Sequence, residues 1–487
     1  MAATQSPPAS VLIIGAGVFG LSTALELSRR PAFAKTTITV LDRSPEEGIF
    51  PSPDASSIDT SRIIRPDYCD RAYADLAAKA HEEWRKTGDD ELGGQGRYNE
   101  SGLMLIADEP PKAVLAQAPG TGEKKRTGID YVRQSWENVL DLAREGGGMS
   151  TDKMRELPSR QAINKAIGND QDATPGDWGY LNGTSGWADA ERSMAWLFRR
   201  VRATGRVKFV HGTASSLALS GDRVIGAKLE DGRELTADLV VVATGAWTGA
   251  LVDLAGQAVA TGQAVAFMDI TKEEEAALAD MPVILNFSTG LFVIPPSRGQ
   301  LKAARHAYGY VNPIPTPATA LPTSPRASRP SGATSLPKTH ITDPGLWIPD
   351  EGEADLRRAI QRIIPLKQLH DRPFVNTRLC WYTDTNSGDF IIDYHPGWKG
   401  LFIATAGSGH GFKFLPIIGE KISDCIEGKR PVEFDQKWKW KGEEAQPTDD
   451  VTELYKHIVT EDGSRGGKPG LILADELSRS RAKKPRL

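Results

Sequence analysis

Residues 10–30 read SVLIIGAGVFGLSTALELSRR, an apolar run, a glycine turn and a stretch with helical spacing, and TTITVLD (36–42) follows as a second apolar run ending in a carboxylate. Strand, turn, helix and strand in this order predict a βαβ unit at the start of a Rossmann-type α/β domain. Within GAGVFG, Gly15, Gly17 and Gly20 permit a tight turn, the close approach of a pyrophosphate, and close packing of helix on strand. The phosphates would meet the unpaired N–H groups and the dipole of the helix N-terminus. Asp42, at the end of the second strand, stands where a carboxylate can accept hydrogen bonds from ribose hydroxyls. Val18 and Phe19 inside the turn and Arg43 after the acid are counted with these cofactor-binding residues. The expected ligand is a dinucleotide.

Outward from that unit, the spacing from about Tyr73 to Arg85 is helical and ESGLMLIAD (100–108) reads as a strand. The text then turns polar as far as Gly147, and APGTGEKKRTG (118–128) has the composition of an exposed loop. A helix (191–205), a strand (207–212), a hairpin and the buried strand of ADLVVVATGAW (237–247) follow, the last ending in small residues that let backbone approach a ligand. Residues 312–340, rich in Pro, Ser, Thr and Ala, are expected to form a flexible loop. Beyond them come a helix (353–364), a strand leading to Cys380, and GLFIATAGSGHGFKFLPIIGEKISDCIEG (400–428), which repeats the order strand, glycine turn, helix. The expected division is a dinucleotide domain of residues 11–70, 189–255 and 385–430, intertwined with a substrate domain of residues 71–188 and 256–384 built on a mixed antiparallel sheet. A leader (1–10) and a basic tail (464–487) are expected to be disordered.

Across 487 residues the hydrophobic fraction is 39%, the charged fraction 25% and the net charge -4, which speaks for a globular protein and against nucleic acid or an acidic membrane as partner. No apolar run is long enough to span a bilayer, and MAATQSPPAS lacks the regions of a secretory signal. The expected compartment is therefore a reducing one. Cys69, Cys380 and Cys425 are too few and scattered for a disulfide framework or a zinc cluster, so no metal is expected.

ADLVVVATGAW, RLCWYTDTNSGDFIIDYHP (378–396) and GSGHGFKFLPIIGEKI (407–422) resemble the FAD-binding amine oxidases of the monomeric sarcosine oxidase, saccharopine or pipecolate oxidase and fructosyl amino acid oxidase group. The resemblance runs from about Val11 to Gly428. It implies FAD as the cofactor, a monomer, and oxidation of the C–N bond of a secondary amino acid such as sarcosine, another N-methyl amino acid, pipecolate or saccharopine, giving an imine and, with O2, H2O2. A fructosyl amino acid is the alternative substrate. An NAD-linked dehydrogenase or a non-catalytic flavin-binding protein are alternatives of other classes.

The same resemblance implies roles for individual residues. Gly407, Gly409 and Gly411, with Phe412 and Lys413, would cover the flavin, and Cys380 in LCWYTDT would join it through sulfur. Lys302 in GQLKAARH would activate oxygen, because a fixed positive charge stabilises the anion formed in a dry site. His306 and Arg62 are the other catalytic candidates. Arg65 in SRIIRPDY and Lys413 would hold the substrate carboxylate, for which a guanidinium fork is well shaped, and Tyr382 and His410 would approach the substrate. ASSIDTS (55–61) lacks the paired histidines of bacterial sarcosine oxidases, which leaves the substrate open. The final Pro485, Arg486 and Leu487 resemble a peroxisomal tripeptide with proline in place of serine, so the expected address is the peroxisome, otherwise the cytoplasm.

Overall fold

The computed structural model describes residues 6–44, 50–110, 126–170, 172–254, 256–327, 332–441 and 462–483. The predicted βαβ unit is the centre of a six-stranded sheet in the order Ile391–Tyr394, Leu401–Thr405, Leu239–Val242, Ser10–Ile14, Thr37–Asp42, Val207–His211. All neighbours are parallel except the first pair. A parallel sheet is covered on both faces, which is why VLII, LVVV and LFIAT are continuously apolar rather than alternating. Val11, Ile13 and Val241 pack under the helices Val18–Arg29, Ala190–Ala203 and Ile418–Ile426, while Leu12, Ile14, Val240 and Val242 meet an antiparallel three-stranded sheet, Ala214–Ser220, Arg223–Leu229 and Glu234–Thr236.

The second body is a ten-stranded mixed sheet whose longest strand is Val259–Asp269. Gln300–Arg305 and Asn376–Asp384 flank this strand, both antiparallel to it. Strand alternation sorts their side chains. Leu301, Ala303, Leu379 and Trp381 face a core closed by the helix Asp350–Ile363, whose Leu356, Ala359, Ile360 and Ile363 are buried. Lys302, Ala304, Cys380 and Tyr382 face the other way, toward the dinucleotide domain. Burial of each such Leu or Ile is worth about 1.5–3 kcal/mol relative to exposure, so the apolar face dictates the register.

Several expectations are corrected. Within the polar stretch ending at Gly147 lies the helix Gly128–Arg144, started by a capping box between Thr127 and Asp130; residues 118–125 of the expected loop lie outside the described residues. The helix Arg71–Trp84, assigned above to the substrate domain, buries its apolar face in the core of the dinucleotide domain. The segment 312–340 is anchored where it is described. Pro313–Pro315 pairs with Ala333–Ser335, Leu321 is buried in a bridge to Val252, and Trp398 Nε1 donates to Pro322 O at 2.8 Å. Too apolar-poor to make its own core, this segment uses the walls of its neighbours. The strand at the N-terminus starts at Ser10, and Ala9 O already accepts the Thr37 N–H. The tail is also packed. Leu471–Ile472 joins the large sheet beside Tyr310–Val311, and Leu473–Lys483 is a helix. Pro485 to Leu487 lie outside the described residues.

Candidate active site

Between the two bodies lies a cavity of about 550 Å³, running from Gly15 and Asp42 past Thr244 and Gly245 to Lys302, Cys380 and Lys413. At its first end the three motif glycines do different work. Gly15 has φ +103°, and a Cβ there would lie 2.6 Å from Ala243 O. A Cβ on Gly17 would meet nothing within 4 Å, so this position opens on the cavity. Gly20, counted above as cofactor-binding, is not on the cavity wall: its Cβ would fall 1.9 Å from Gly15 O, so its task is packing helix on turn. Asp42 closes the turn, accepting the Ala16 N–H at 2.7 Å and the Ser44 N–H at 2.8 Å. Arg43 pairs with Asp54 at 2.9 Å and lies over the Trp247 ring. Val18 and Phe19 line the same end.

At the other end, strand register puts Lys302 opposite Phe267 and Cys380 opposite Gln263, on one face. The buried Lys302 Nζ donates to Asp59 Oδ2 at 2.7 Å and Ser61 O at 2.8 Å. Arg62 donates to the same Asp59 oxygen at 2.6 Å, and its Nη2 is 3.4 Å from Cys380 Sγ. Two cations thus share one buried carboxylate. Burial and Arg62 push the Lys302 ammonium down to about 8, against the pull of Asp59. Burial would raise the Asp59 carboxyl, but Lys302, Arg62 and Arg378 overcome it and hold it well below the usual carboxylate range.

Arg65 and Lys413 form a second cationic group. Arg65 is buried over the Tyr68 ring, and its Nη1 has no hydrogen-bond partner. Lys413 Nζ donates to Tyr68 OH at 2.8 Å and His410 O at 3.0 Å. Burial and the charge of Arg65 hold the Lys413 ammonium well below its ordinary value. His410 Nε2 is 2.8 Å from Gly388 O, which can only accept. Nδ1 therefore accepts a hydrogen bond from the Tyr68 hydroxyl at 2.9 Å. Burial and Lys413 keep this imidazole neutral.

The loop Gly407–Gly411 turns back over the cavity through left-handed residues, Ser408 at φ 44° and Gly409 at φ +71°. A Cβ on Gly409 would lie 2.3 Å from Tyr382 Cε2, so only glycine lets the loop and this ring meet. Gly407, Gly411 and Phe412 line the wall, as does His306, which burial and Arg465 hold neutral. Apart from Gly20, the residues singled out from the sequence meet in this one cavity. Asp59, Tyr68, Asp384 and Arg465 were missed. Asp59 and Tyr68 flank the two arginines in a stretch already singled out, whereas Arg465 carries no signal in its own sequence.

A glycine turn open at Gly17, a strand end of small residues and a buried cationic far wall fit an FAD. Residues 10–425 match the FAD dependent oxidoreductase (DAO) family. The chain belongs to this family. It is 32% identical to the amino acid oxidase imqH of Aspergillus flavus, the match covering 86% of this chain and 93% of the relative, and 30% identical to the L-saccharopine oxidase of Schizosaccharomyces pombe, covering 89% and 93%. Its structure resembles a modified fructosyl peptide oxidase from Aspergillus nidulans, with a TM-score of 0.76 and 26% identity over 96% of this chain and 98% of the other. The protein is accordingly an FAD-dependent oxidase that acts on a C–N bond, giving an imine and H2O2. The NAD-linked alternative falls with this membership. Among the described residues no helix is long and apolar enough to cross a membrane and no group of side chains could hold a metal ion.

Proposed function

We propose that this oxidase acts on an N-substituted α-amino acid, and that a fructosyl amino acid is its preferred substrate. The observation that carries the first part is the pair of buried cations, Arg65 and Lys413, neither of which forms an ion pair with a described residue. The buried carboxylate that attracts both, Asp67, is hydrogen-bonded to Tyr180, Asn182 and Ser185 instead. Buried charge without a direct ion pair is costly, so the site calls for an anion, and a substrate carboxylate supplies it. The free Nη1 of Arg65 is a donor for one carboxylate oxygen and Lys413 a donor for the other. The fructosyl preference, first set down as an alternative, draws its support from the solved structures similar to this chain, which include fructosyl peptide and fructosamine oxidases.

FAD, when bound, accepts two electrons from the C–N bond and delivers them to O2. The protein's own groups supply binding, charge and the exclusion of water. Cys380, with Arg62 beside its sulfur, is the proposed attachment point of the flavin. Lys302 holds a positive charge in a dry site, where it stabilises negative charge developing on oxygen. Tyr382 and His410 wall the substrate between the glycine loop and the sheet.

The test is H2O2 release by the flavin-loaded protein from a panel of fructosyl amino acids, sarcosine, N-methyl amino acids, pipecolate and saccharopine. The expected result is the highest kcat/KM with a fructosyl amino acid, and a loss of at least about tenfold when its carboxylate is removed, from about 1.5–3 kcal/mol for charged hydrogen bonds. Highest efficiency with a simple secondary amino acid would overturn the fructosyl assignment in favour of the reading supported by the likeness to imqH and L-saccharopine oxidase.

A further inference from the structure

The C-terminal segment runs across the site as a strap. Gly466 N donates to His306 O at 3.2 Å and Gly466 O accepts the Tyr308 N–H at 3.2 Å, so the strap pairs with the backbone at His306 itself. From the strap the Arg465 side chain is buried beside Tyr382, its Cζ 5.4 Å from that ring. Its Nη2 donates to Asp384 Oδ1 at 2.6 Å and to Ser408 O at 2.9 Å. Asp384 is buried as well, and its other oxygen accepts Thr261 Oγ1 at 2.5 Å. With the guanidinium plane fixed from this side, Nη1 is left 3.4 Å from His306 Nδ1 and 3.5 Å from Ala307 O.

A guanidinium has donors only, so the nitrogen facing it must present a lone pair. We infer that Arg465 is a positioning residue that fixes His306 as the neutral imidazole with its hydrogen on Nε2, making His306 a hydrogen-bond donor to the substrate rather than a base. The surroundings agree from every side. Arg65 comes from the chain after the strand Arg62–Ile64, His410 from the glycine loop, Lys413 from the turn that follows it, and Tyr382 from the strand Asn376–Asp384 across Val259–Asp269. Arg65 and Lys413 disfavour a proton on His306, and Asp384, the carboxylate beside Arg465, is already engaged by it. His306 thus offers hydrogen-bonding direction without adding a third positive charge beside Arg65 and Lys413. A substrate oxygen that meets Nε2 must accept. This role within substrate binding rests on the function proposed above.

The experiment records the imidazole nitrogen signals of 15N-histidine-labelled, flavin-loaded full-length protein across pH, with His306→Asn identifying the His306 signals. In wild type His306 is expected as the Nε2–H tautomer, untitrated. Arg465→Gln leaves Asp384 buried without its partner, so Asp384→Asn/Arg465→Gln, which removes both charges together, is measured beside it; Arg465→Lys keeps a cation and a donor. In the double variant His306 should become a mixture of tautomers and titrate at least about one pH unit higher. kcat/KM should gain an acid limb in the same range, while Arg465→Lys should restore the wild-type profile. An Nε2–H tautomer and titration unchanged in the folded, yellow double variant overturn the inference. The nitrogen signals need no turnover, so a protein that oxidises none of the panel would defeat the proposed function and leave this result standing.

Discussion

Replacing Asp59 by Asn removes one charge and keeps the shape of the side chain, and the structure gives both the sign and the size of the effect on Lys302. The Lys302–Asp59 pair is 2.7 Å long, with side chains 5% and 1% exposed. At an effective dielectric of about 20 the attraction has a ceiling of about 6 kcal/mol. Breaking a buried pair typically costs about 3–5 kcal/mol. Arg62 shares the carboxylate, so only part of this acts on Lys302. Since about 1.36 kcal/mol corresponds to one pKa unit, a quarter of the ceiling already moves the ammonium by one. Asp59 favours the charged amine, so its loss lowers a value that stands at about 8 and leaves Arg62 to repel the remaining charge. Lys302 loses its proton as pH rises, and the part proposed for it in oxygen activation needs the proton. The alkaline fall in the rate of reoxidation should therefore lie near pH 8 in wild type and at least about one unit lower in the variant. The assay is rapid mixing of anaerobically reduced protein with oxygenated buffer from about pH 6 to about pH 9. An alkaline limb at the same pH in both proteins would refute the reasoning.

Lys302→Met should slow reoxidation at least about tenfold at neutral pH, or about 1.4 kcal/mol, while reduction by substrate changes less; equal reoxidation rates would count against the assignment. After acid precipitation the wild-type pellet should stay yellow and that of Cys380→Ser should not, with release from both ruling out a tether. Arg65→Met should lower kcat/KM at least about tenfold through loss of a charged hydrogen bond of about 1.5–3 kcal/mol, seen chiefly in KM. A change confined to kcat would remove Arg65 from substrate binding.

The dinucleotide domain was legible because its signals are local. Each strand of the parallel sheet is an apolar run buried on both faces, and the turn between Ile14 and Val18 needs glycine for reasons that reach only as far as Ala243. Site residues were legible where a motif carried them, as with Lys302, Cys380 and Lys413. The helix Gly128–Arg144 was overlooked because its outer face is polar; its signal was the Thr127–Asp130 capping pair before buried residues at 129, 132, 139 and 142. Asp59 matters only through the cations around it, two of which, Lys302 and Arg378, stand on strands far along the chain. Arg465 was illegible for the same reason in stronger form. Nothing in a basic, glycine-bearing stretch says that it will enter a cleft and meet Asp384 and His306, because the partners that order it lie 81 and 159 residues away.

The alternation along Gln300–Arg305 also bears on how such an enzyme can change. A slip of one residue against Val259–Asp269 would turn Leu301 and Ala303 toward the cavity and drive the charge of Lys302 into the apolar layer under the helix Asp350–Ile363. The greasy face of the strand therefore proofreads the address of the lysine, and Cys380 is held by the same check on the opposite side of the same central strand. The loop at Ala55–Ser61, the anchored segment around Pro317 and the C-terminal strap lie outside that check. Mutation can remodel these walls and shift substrate preference, while Lys302 and the Cys380 thiol on the same face of the sheet keep their places as passengers of β-pairing.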